Sequence, residues 1–386
     1  MTYRLPFLRE PAMPFLPFTR PTIDEDTIQG VAAVLRSGWI ATGPKAHDFE
    51  AALSTYLGGR TVRAMTSATD ALEIALRVVG VGPGDEVITP AMSFVATANV
   101  ICRVGAKPVF VDIDLKSRNM DLDRAEAAIT PKTKALMPVH FAGRPVDMDR
   151  LYELAKTRKL RVIEDAAHAI GSSWRGRRIG TFGDLVVFSF HPNKNITTIE
   201  GGAIVGAEGD ELRDVERHRF HGLTKDADGE AEVHLAGGKA NLSDVAARVG
   251  CGQLPHLDAW NARRRVLASR YFTTLKTEPA MLLPEPGDED HSWHVFTPLL
   301  PLSKLSLTRA QFVRTMHERE IGIGVHYPAI HLFAHYRGLR YRDGDFPNAE
   351  RVGRETVTLP LFPAMSEGDV DRVCDEIGRV FEAHRR

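Results

Sequence analysis

The chain has 386 residues, 43% of them hydrophobic, and a formal net charge of −1 at pH 7. A chain of this length exceeds one ordinary hydrophobic core and predicts a large domain with a smaller one. The near-zero charge argues against nucleic acid or an acidic membrane surface as a partner. Cys102, Cys251 and Cys374 lack CxxC spacing, which predicts buried thiols in a reducing compartment rather than disulfides or a zinc site.

The first 20 residues are predicted to form an N-terminal arm that lies on another surface. Residues 1–21 contain five prolines and the charged residues Arg4, Arg9 and Glu10, so they lack the apolar stretch and cleavage site of a signal peptide. No run in the chain approaches the roughly 20 apolar residues of a membrane span. We therefore expect a cytoplasmic protein without membrane insertion.

Short apolar runs alternate with helix-periodic segments through the first half of the chain. The predicted strands are residues 61–65, 86–89, 108–113, 135–139, 161–163, 185–190 and 203–205. The predicted helices between them are residues 68–79, 96–103, 122–129 and 148–157. This alternation is typical of an α/β fold with a largely parallel sheet.

The pattern changes after about Gly206. A long helical stretch is predicted over residues 246–276, with an interruption at Pro255, and the last third of the chain contains fewer strands. We therefore predict a large domain over residues 21–255 and a smaller C-terminal α+β domain over residues 256–386. The run from Arg263 to Arg265 is interpreted as a solvated helix face or an interface.

Residues suited to cofactor binding follow several of the predicted strands. In an open parallel sheet, ligands bind at the carboxyl ends of the strands. Residues 65–69 close one strand and open a helix, so their free N–H groups suit a phosphate, although an ordinary helix N-cap is an alternative. Phe94 follows the strand at 86–89 and either stacks on a flat cofactor or belongs to the core.

Two further strand ends carry an acid and an amine. Asp165 ends the strand at 161–163, where a buried carboxylate needs a cation such as a protonated pyridine nitrogen, an arginine or a helix N-terminus. His168 lies three residues further on and shares that site or serves a structural role. Lys194 follows Ser189 beyond the strand at 185–190. An amine at the end of a buried strand has a lowered pKa and can act as nucleophile and base.

Together, a phosphate site, an aromatic ring, an acid and an amine match pyridoxal 5′-phosphate (PLP), which usually binds a Schiff-base lysine and a pyridinium-directed acid. Residues 37–45, 164–169 and 188–197 resemble the DegT/StrS-type sugar aminotransferases, which are fold-type I PLP enzymes. The likeness runs from about Phe15 to the C-terminus. Residues 219–223, 239–244, 322–326 and 359–363 are most similar to the UDP-4-amino-4-deoxy-L-arabinose–oxoglutarate aminotransferases within that family.

The resemblance implies a fold-type I architecture, with a mostly parallel seven-stranded sheet flanked by helices and a smaller C-terminal α+β domain. It implies that Lys194 is the Schiff-base lysine and general base, that Asp165 faces the pyridine nitrogen, and that His168 lies near the ring hydroxyl. It also implies that Phe94 stacks on the ring and that the phosphate is bound by Ala68, Thr69 and Ser189. Asn241 is implied to reach the phosphate from the partner subunit, in a homodimer with shared active sites. Lys239 and His326 are implied contacts of the nucleotide-sugar, and Trp39 either approaches the sugar or wedges a turn.

The implied reaction is a ping-pong transamination through pyridoxamine phosphate (PMP). L-Glutamate donates its amino group and leaves as 2-oxoglutarate. The amino group is accepted by a keto carbon, C4, of a nucleotide-linked sugar such as a UDP-4-keto-pentose, for cell-surface polysaccharide synthesis.

Two alternatives stay open: a sugar dehydratase on the same scaffold, whose members carry histidine at the position of Lys194, and a non-catalytic PLP-binding regulatory protein. No metal site is predicted, because His331 and His335 lack a third ligand in the sequence pattern.

Overall fold

The structure is a computed structural model that describes residues 14–226, 228–277, 279–287 and 290–386. The strands are β1 (Val62–Met65), β2 (Glu86–Pro90), β3 (Lys107–Val111), β4 (Thr133–Leu136), β5 (Arg161–Asp165), β6 (Ser173–Trp174), β7 (Arg177–Arg178), β8 (Leu185–Ser189), β9 (Gly202–Val205), β10 (Leu223–Lys225) and β11 (Ala231–Val233). The α-helices are α1 (Glu25–Ser37), α2 (Pro44–Tyr56), α3 (Ala68–Val78), α4 (Ala96–Arg103), α5 (Leu122–Ala127), α6 (Met148–Arg158), α7 (Gly209–Arg219), α8 (Asp244–Gln253), α9 (Leu257–Thr274), α10 (Arg309–Glu318), α11 (Ala334–Arg337), α12 (Pro347–Glu355) and α13 (Glu367–Ala383).

A seven-stranded sheet in the order β1-β9-β8-β5-β4-β2-β3 forms the centre of the molecule. The pairs β2–β3, β2–β4, β4–β5 and β5–β8 are parallel, whereas β9 runs antiparallel to both β1 and β8. Each of the seven predicted strands falls on one strand of this sheet, with ends that differ by up to three residues. The predicted α/β fold with a mostly parallel sheet is therefore confirmed.

The sheet is buried on both faces, which explains why its strands are continuous apolar runs. In β8, Val186 and Phe188 pack into a cluster with α2, α5, α6 and α8, while Leu185 and Val187 pack into a cluster with α3, α4 and α7. This alternation follows from the two-residue period of a strand. Helices on the two faces leave the strand ends as the open edge of the sheet.

The C-terminal part of the chain has its own apolar core, in which α9 packs against α13. Helix α8 ends at Gln253 and α9 begins at Leu257, so the predicted interruption at Pro255 is observed. After Val233, the β contacts of the described residues are isolated bridges rather than named strands. The domain limits at residues 20, 255 and 256 stay predictions.

Residues 1–13 of the predicted arm lie outside the described residues. The part that follows packs on the C-terminal core, where Leu16 is buried and its backbone pairs with the chain at Ile321. Leu16 N donates to Glu320 O at 2.9 Å, and Gly322 N donates to Leu16 O at 2.8 Å. Residues 16–18 thus contact another part of the same chain.

Two sequence-based expectations about burial are wrong for some of their residues: two of the three cysteines, and Arg264 but not the half-exposed Arg263 and Arg265. Cys102 and Cys251 are free thiols that are only half-buried, and only Cys374 is buried. Arg264 is not on a solvated face: it is 2% exposed and donates to the carbonyl oxygens of Leu361 at 2.7 Å and His294 at 3.2 Å. Within the described ranges, none of the helices has the length and apolar character needed to cross a membrane.

Candidate active site

A cavity of about 300 Å³ lies where β1, β2, β5 and β8 end. That volume is at the lower end of the range for small-molecule sites. The cavity brings together eight of the predicted site residues: Ala68, Thr69, Phe94, Asp165, His168, Ser189, Lys194 and His326. Because these residues are separated by up to 258 positions in sequence (326 minus 68), their convergence is a property of the folded sheet edge.

The backbone on both sides of Lys194 is fixed by buried side chains. His294 Nε2 donates to the carbonyl oxygen of Asn193 at 3.0 Å. The side-chain amide of Asn195 donates from Nδ2 to Asn261 Oδ1 at 2.6 Å and to Ser292 O at 3.0 Å. Burial lowers the pKa of Lys194 from 10.5 to about 8, with Asp165 acting in the opposite direction. A substantial fraction of the amine is therefore neutral near physiological pH.

This lowered pKa makes the stability of the PLP-free protein depend on pH. Between about pH 8 and pH 10.5 the unfolded chain binds the Lys194 proton and the folded chain does not, so stability rises with pH in that window. Relative to a Lys194→Met variant, the wild-type free energy of unfolding should rise by about 3 kcal/mol across the window. Urea unfolding at a series of pH values measures this; parallel curves for the two proteins would contradict the lowered pKa.

Asp165 is a buried carboxylate with two hydrogen-bond donors. Thr97 Oγ1 donates to Oδ2 at 2.7 Å and the Ala167 N–H donates to Oδ1 at 3.2 Å. Burial raises the pKa of Asp165, whereas Thr97, Ala167 and the Lys194 charge lower it. The preceding residue, Glu164, accepts instead from Tyr152 at 2.5 Å and pairs with His140 at 2.9 Å. Because neighbouring side chains of a strand lie on opposite sides, Asp165 lines the cavity and Glu164 does not.

His168 is held in one neutral tautomer. The Ala142 N–H donates to Nδ1 at 3.2 Å, so the ring proton lies on Nε2, which is 3.2 Å from the Tyr327 hydroxyl. Burial, reinforced by the nearby Lys194 charge, lowers the pKa of His168 well below its ordinary value. His168 therefore presents a neutral N–H donor. Burial also lowers the pKa of His326, to about 4, and a 2.7 Å hydrogen bond joins its Nδ1 to Thr358 Oγ1.

The start of α3 forms the anion-binding end of the cavity. Ser67 caps this helix by accepting from Asp70 N at 3.0 Å, which leaves the N–H groups of Ala68 and Thr69 without an intrahelical acceptor. Gly202 lies so close that a Cβ there would be 2.4 Å from Ala68 N. Free N–H groups and the helix dipole favour a phosphate at this position.

The residues present fit PLP. The anion-binding end, the Asp165 carboxylate and the Lys194 amine line one cavity, and they complement a phosphate, a pyridine nitrogen and an aldehyde. Phe94 is 55% exposed and lines the same cavity, with its ring centroid 5.8 Å from that of Tyr327. A flat aromatic cofactor can therefore cover the exposed ring.

Three predicted site residues lie away from this cavity in their own chain. Asn241 donates to Thr42 Oγ1 and accepts from Lys239, and Lys239 lines a separate cavity of about 350 Å³. Trp39 is 61% exposed and lies over Gly43, where a Cβ would collide with the indole. The predicted roles of these residues therefore stay predictions.

Sequence reasoning missed three residues that lie against Asp165 or His168. Thr97 contacts Asp165, Tyr327 contacts His168, and the His294 ring lies 4.2 Å from the His168 ring. A local signal existed for Thr97, which lies three residues after Phe94, in the first turn of the helix that follows it. Tyr327 and His294 come from the C-terminal third of the chain, and nothing in their local sequence places them at the sheet edge.

Comparisons with known proteins agree with this geometry. SpsC, a spore coat polysaccharide biosynthesis protein of Bacillus subtilis strain 168, is 39% identical over 375 residues, covering 94% of this chain and 96% of SpsC. Spr1654 from Streptococcus pneumoniae, solved in its PMP-form, superposes with a TM-score of 0.89 at 33% identity, covering 96% of this chain and 99% of that chain. DesI, solved in the presence of its TDP-sugar product, superposes with a TM-score of 0.84 at 29% identity, covering 95% and 92%. Residues 21–378 also match the family model of the DegT/DnrJ/EryC1/StrS aminotransferases, and the chain belongs to this family.

Proposed function

We propose that this protein is a PLP-dependent aminotransferase that moves the amino group of L-glutamate to a keto carbon, C4, of a nucleotide-linked sugar such as a UDP-4-keto-pentose. The observation that carries the proposal is the convergence of Lys194, Asp165, His168 and Phe94 with the start of α3 on one cavity. The PMP-form of Spr1654 and the TDP-sugar product of DesI support the cofactor and the substrate class. The biosynthetic role of SpsC supports a product used in a polysaccharide.

The chain's own residues divide the work of binding the cofactor. Ala68, Thr69 and Ser189 bind the phosphate, Phe94 covers one ring face, and Asp165 pairs with the protonated ring nitrogen. When bound, PLP supplies an electron sink for the negative charge that develops when a proton leaves the carbon bearing nitrogen. An opposite charge close to the ring nitrogen keeps it protonated, and Asp165 is the group that provides this charge.

Lys194 is both the attachment point and the base. Once the amino acid has displaced it, its neutral amine would take the proton from Cα and deliver it to C4′ of the cofactor in the first half-reaction. In the second half-reaction the same amine would take a proton from C4′ and deliver it to the sugar carbon that gains nitrogen. The low pKa of Lys194, about 8, suits this cycle because both protonation states are accessible near neutral pH. His168, as a neutral N–H donor, binds the ring hydroxyl of the cofactor.

A homodimer with shared active sites is part of the proposal. Asn241 does not line the cavity of its own chain within the described residues, which is consistent with a contribution to the partner's phosphate site. Large apolar side chains on and after α1 support an interface, since Ile28, Leu35, Trp39 and Ile40 are each about half exposed or more. Lys239, Trp39 and His326 are proposed contacts of the nucleotide-sugar, and a cytoplasmic location stays a prediction from the sequence.

A two-stage experiment tests the function. Protein loaded with PLP should lose its visible absorbance with L-glutamate, and the absorbance should return with 2-oxoglutarate or with the correct sugar. A panel of UDP- and TDP-linked 3-keto and 4-keto sugars, with ¹⁵N-glutamate as donor, should yield one class of ¹⁵N-labelled aminosugar. NMR of the product then assigns the aminated carbon.

The alternatives predict other outcomes. A sugar product that has lost oxygen and contains no ¹⁵N would indicate a dehydratase. Protein that binds PLP but does not respond to glutamate or to any other amino donor would indicate a non-catalytic role. Bleaching by glutamate without transfer to any keto-sugar would reject the sugar substrate while keeping the aminotransferase.

A further inference from the structure

Two buried hydroxyls, Ser93 and Thr97, lie beside Asp165 in the cavity. Thr97 Oγ1 is 2.7 Å from Asp165 Oδ2 and 2.9 Å from Ser93 Oγ. Thr97 is 1% exposed and Ser93 is 3% exposed, so bulk water does not compete for these hydrogen bonds. Thr97 contacts the acid directly and the cavity lining includes both hydroxyl residues.

The Thr97 hydroxyl carries one proton and has three oxygen neighbours: Asp165 Oδ2, Ser93 Oγ and Phe94 O, the last at 3.1 Å. Phe94 O already accepts from the Thr97 backbone N–H at 3.2 Å. The contact with the carboxylate is the shortest of the three and is charge-assisted, so we assign the hydroxyl proton to Asp165; Ser93, whose hydroxyl can donate or accept, then donates to Thr97. Every oxygen is satisfied in this arrangement when Asp165 is ionised.

The Thr97 contact opposes the effect of burial on Asp165. Burial raises the pKa of this carboxyl, and the Thr97 hydrogen bond is the largest of the effects that lower it, ahead of the Ala167 N–H, the Lys194 charge and His140. Hydrogen bonds to a charged group are stronger than those between neutral groups. Removing the hydroxyl therefore shifts Asp165 toward its neutral form, which cannot pair with a pyridinium nitrogen.

We propose that Thr97 is a positioning residue whose hydroxyl, supported by Ser93, holds Asp165 ionised and oriented toward the ring nitrogen of bound PLP. The inference rests on the proposed function, because it needs Asp165 to face that nitrogen. It assigns a role to a residue that touches the acid rather than the reacting atoms. The consequence is specific: the contribution of Thr97 depends on the presence of a ring nitrogen in the ligand.

The test uses PLP and 1-deaza-PLP, in which carbon replaces the ring nitrogen, titrated into PLP-free protein. Thr97→Val should weaken PLP binding by about tenfold and leave 1-deaza-PLP binding within about twofold of wild type. Thr97→Ser, which keeps the hydroxyl, should restore most of the PLP affinity. Equal losses for both ligands, or a serine variant as weak as the valine variant, would reduce Thr97 to a packing role and overturn the proposal.

Two further variants keep the test decisive. Thr89→Val is a matched control, because this buried threonine donates to Met137 O at 3.0 Å and does not line the cavity; it should not change the PLP to 1-deaza-PLP affinity ratio. Ser93→Ala removes the donor to Thr97 and should shift that ratio in the same direction as Thr97→Val, by a smaller factor. If Thr97→Val does not fold, an unchanged ratio in Ser93→Ala rejects the proposal.

Asp165→Asn in the same titration distinguishes failure of the proposed cofactor site from failure of the role proposed for Thr97. If Asp165→Asn weakens both ligands equally, Asp165 does not face the ring nitrogen and the site assignment in the proposed function fails. If Asp165→Asn discriminates between PLP and 1-deaza-PLP but Thr97→Val does not, only the role of Thr97 fails.

Discussion

Replacing Lys194 by alanine is expected to lower kcat by about 10³-fold or more, since a positioned acid–base group alone contributes about 10²–10⁴-fold and this residue is also the proposed attachment point for PLP. The phosphate and ring contacts remain, so PLP should still bind. Single-turnover absorbance with L-glutamate measures the first half-reaction separately from sugar amination. Both half-reactions should slow, because the same amine moves the proton in each.

Two controls distinguish the amine chemistry of Lys194 from its charge. Lys194→Arg keeps a positive charge but stays protonated at accessible pH, so it should be nearly as slow as Lys194→Ala. Lys45→Ala removes a partly exposed lysine whose only described ion pair is with Asp48, and it should leave kcat close to wild type. Borohydride reduction of the loaded wild-type protein should attach the cofactor to the peptide that contains Lys194. Attachment to another lysine, or near-normal turnover in Lys194→Ala, would contradict the assigned base.

Replacing Asp165 by asparagine should give the second largest effect, a loss of about 10²–10³-fold in kcat, the range seen when one preorganised electrostatic group is removed. The amide nearly preserves shape and can still accept from Thr97, so PLP should remain partly bound. What is lost is the negative charge that we propose keeps the ring nitrogen protonated. Steady-state kcat, measured at saturating PLP, reports this loss separately from weaker cofactor binding.

Glu164→Gln is the matched control for Asp165→Asn. Glu164 is the preceding residue on the same strand and is equally buried, but it contacts His140 and Tyr152 rather than the cavity. We expect lower thermal stability, because a hydrogen bond to a buried carboxylate is weakened, with kcat close to wild type. If Glu164→Gln lowered kcat as much as Asp165→Asn, the loss would reflect damage to β5 rather than the charge at Asp165.

The sequence was sufficient to predict the central sheet, and the fold brings most of the predicted site residues to one cavity. Strands buried on both faces are short apolar runs, and residues at the carboxyl ends of parallel strands meet at one edge. Both properties are encoded locally, so Phe94, Asp165 and Lys194 could be assigned to a common site before any distance was known. The family resemblance added the identity of the roles, and the structure brings these side chains to one cavity.

Local sequence patterns were enough to identify the residues that follow each strand, whereas the side chains that contact those residues became known only from the fold. Tyr327 reaches His168 across 159 positions and Thr97 reaches Asp165 across 68, while Arg264 is buried against carbonyl oxygens rather than solvated. A threonine, a tyrosine or an arginine has the same local pattern whether it faces water or a carboxylate. Packing in the folded chain decides this: the C-terminal part brings Tyr327 to His168, α4 brings Thr97 to Asp165, and the C-terminal core buries Arg264. Burial removes competing water, so each of these contacts contributes more to stability.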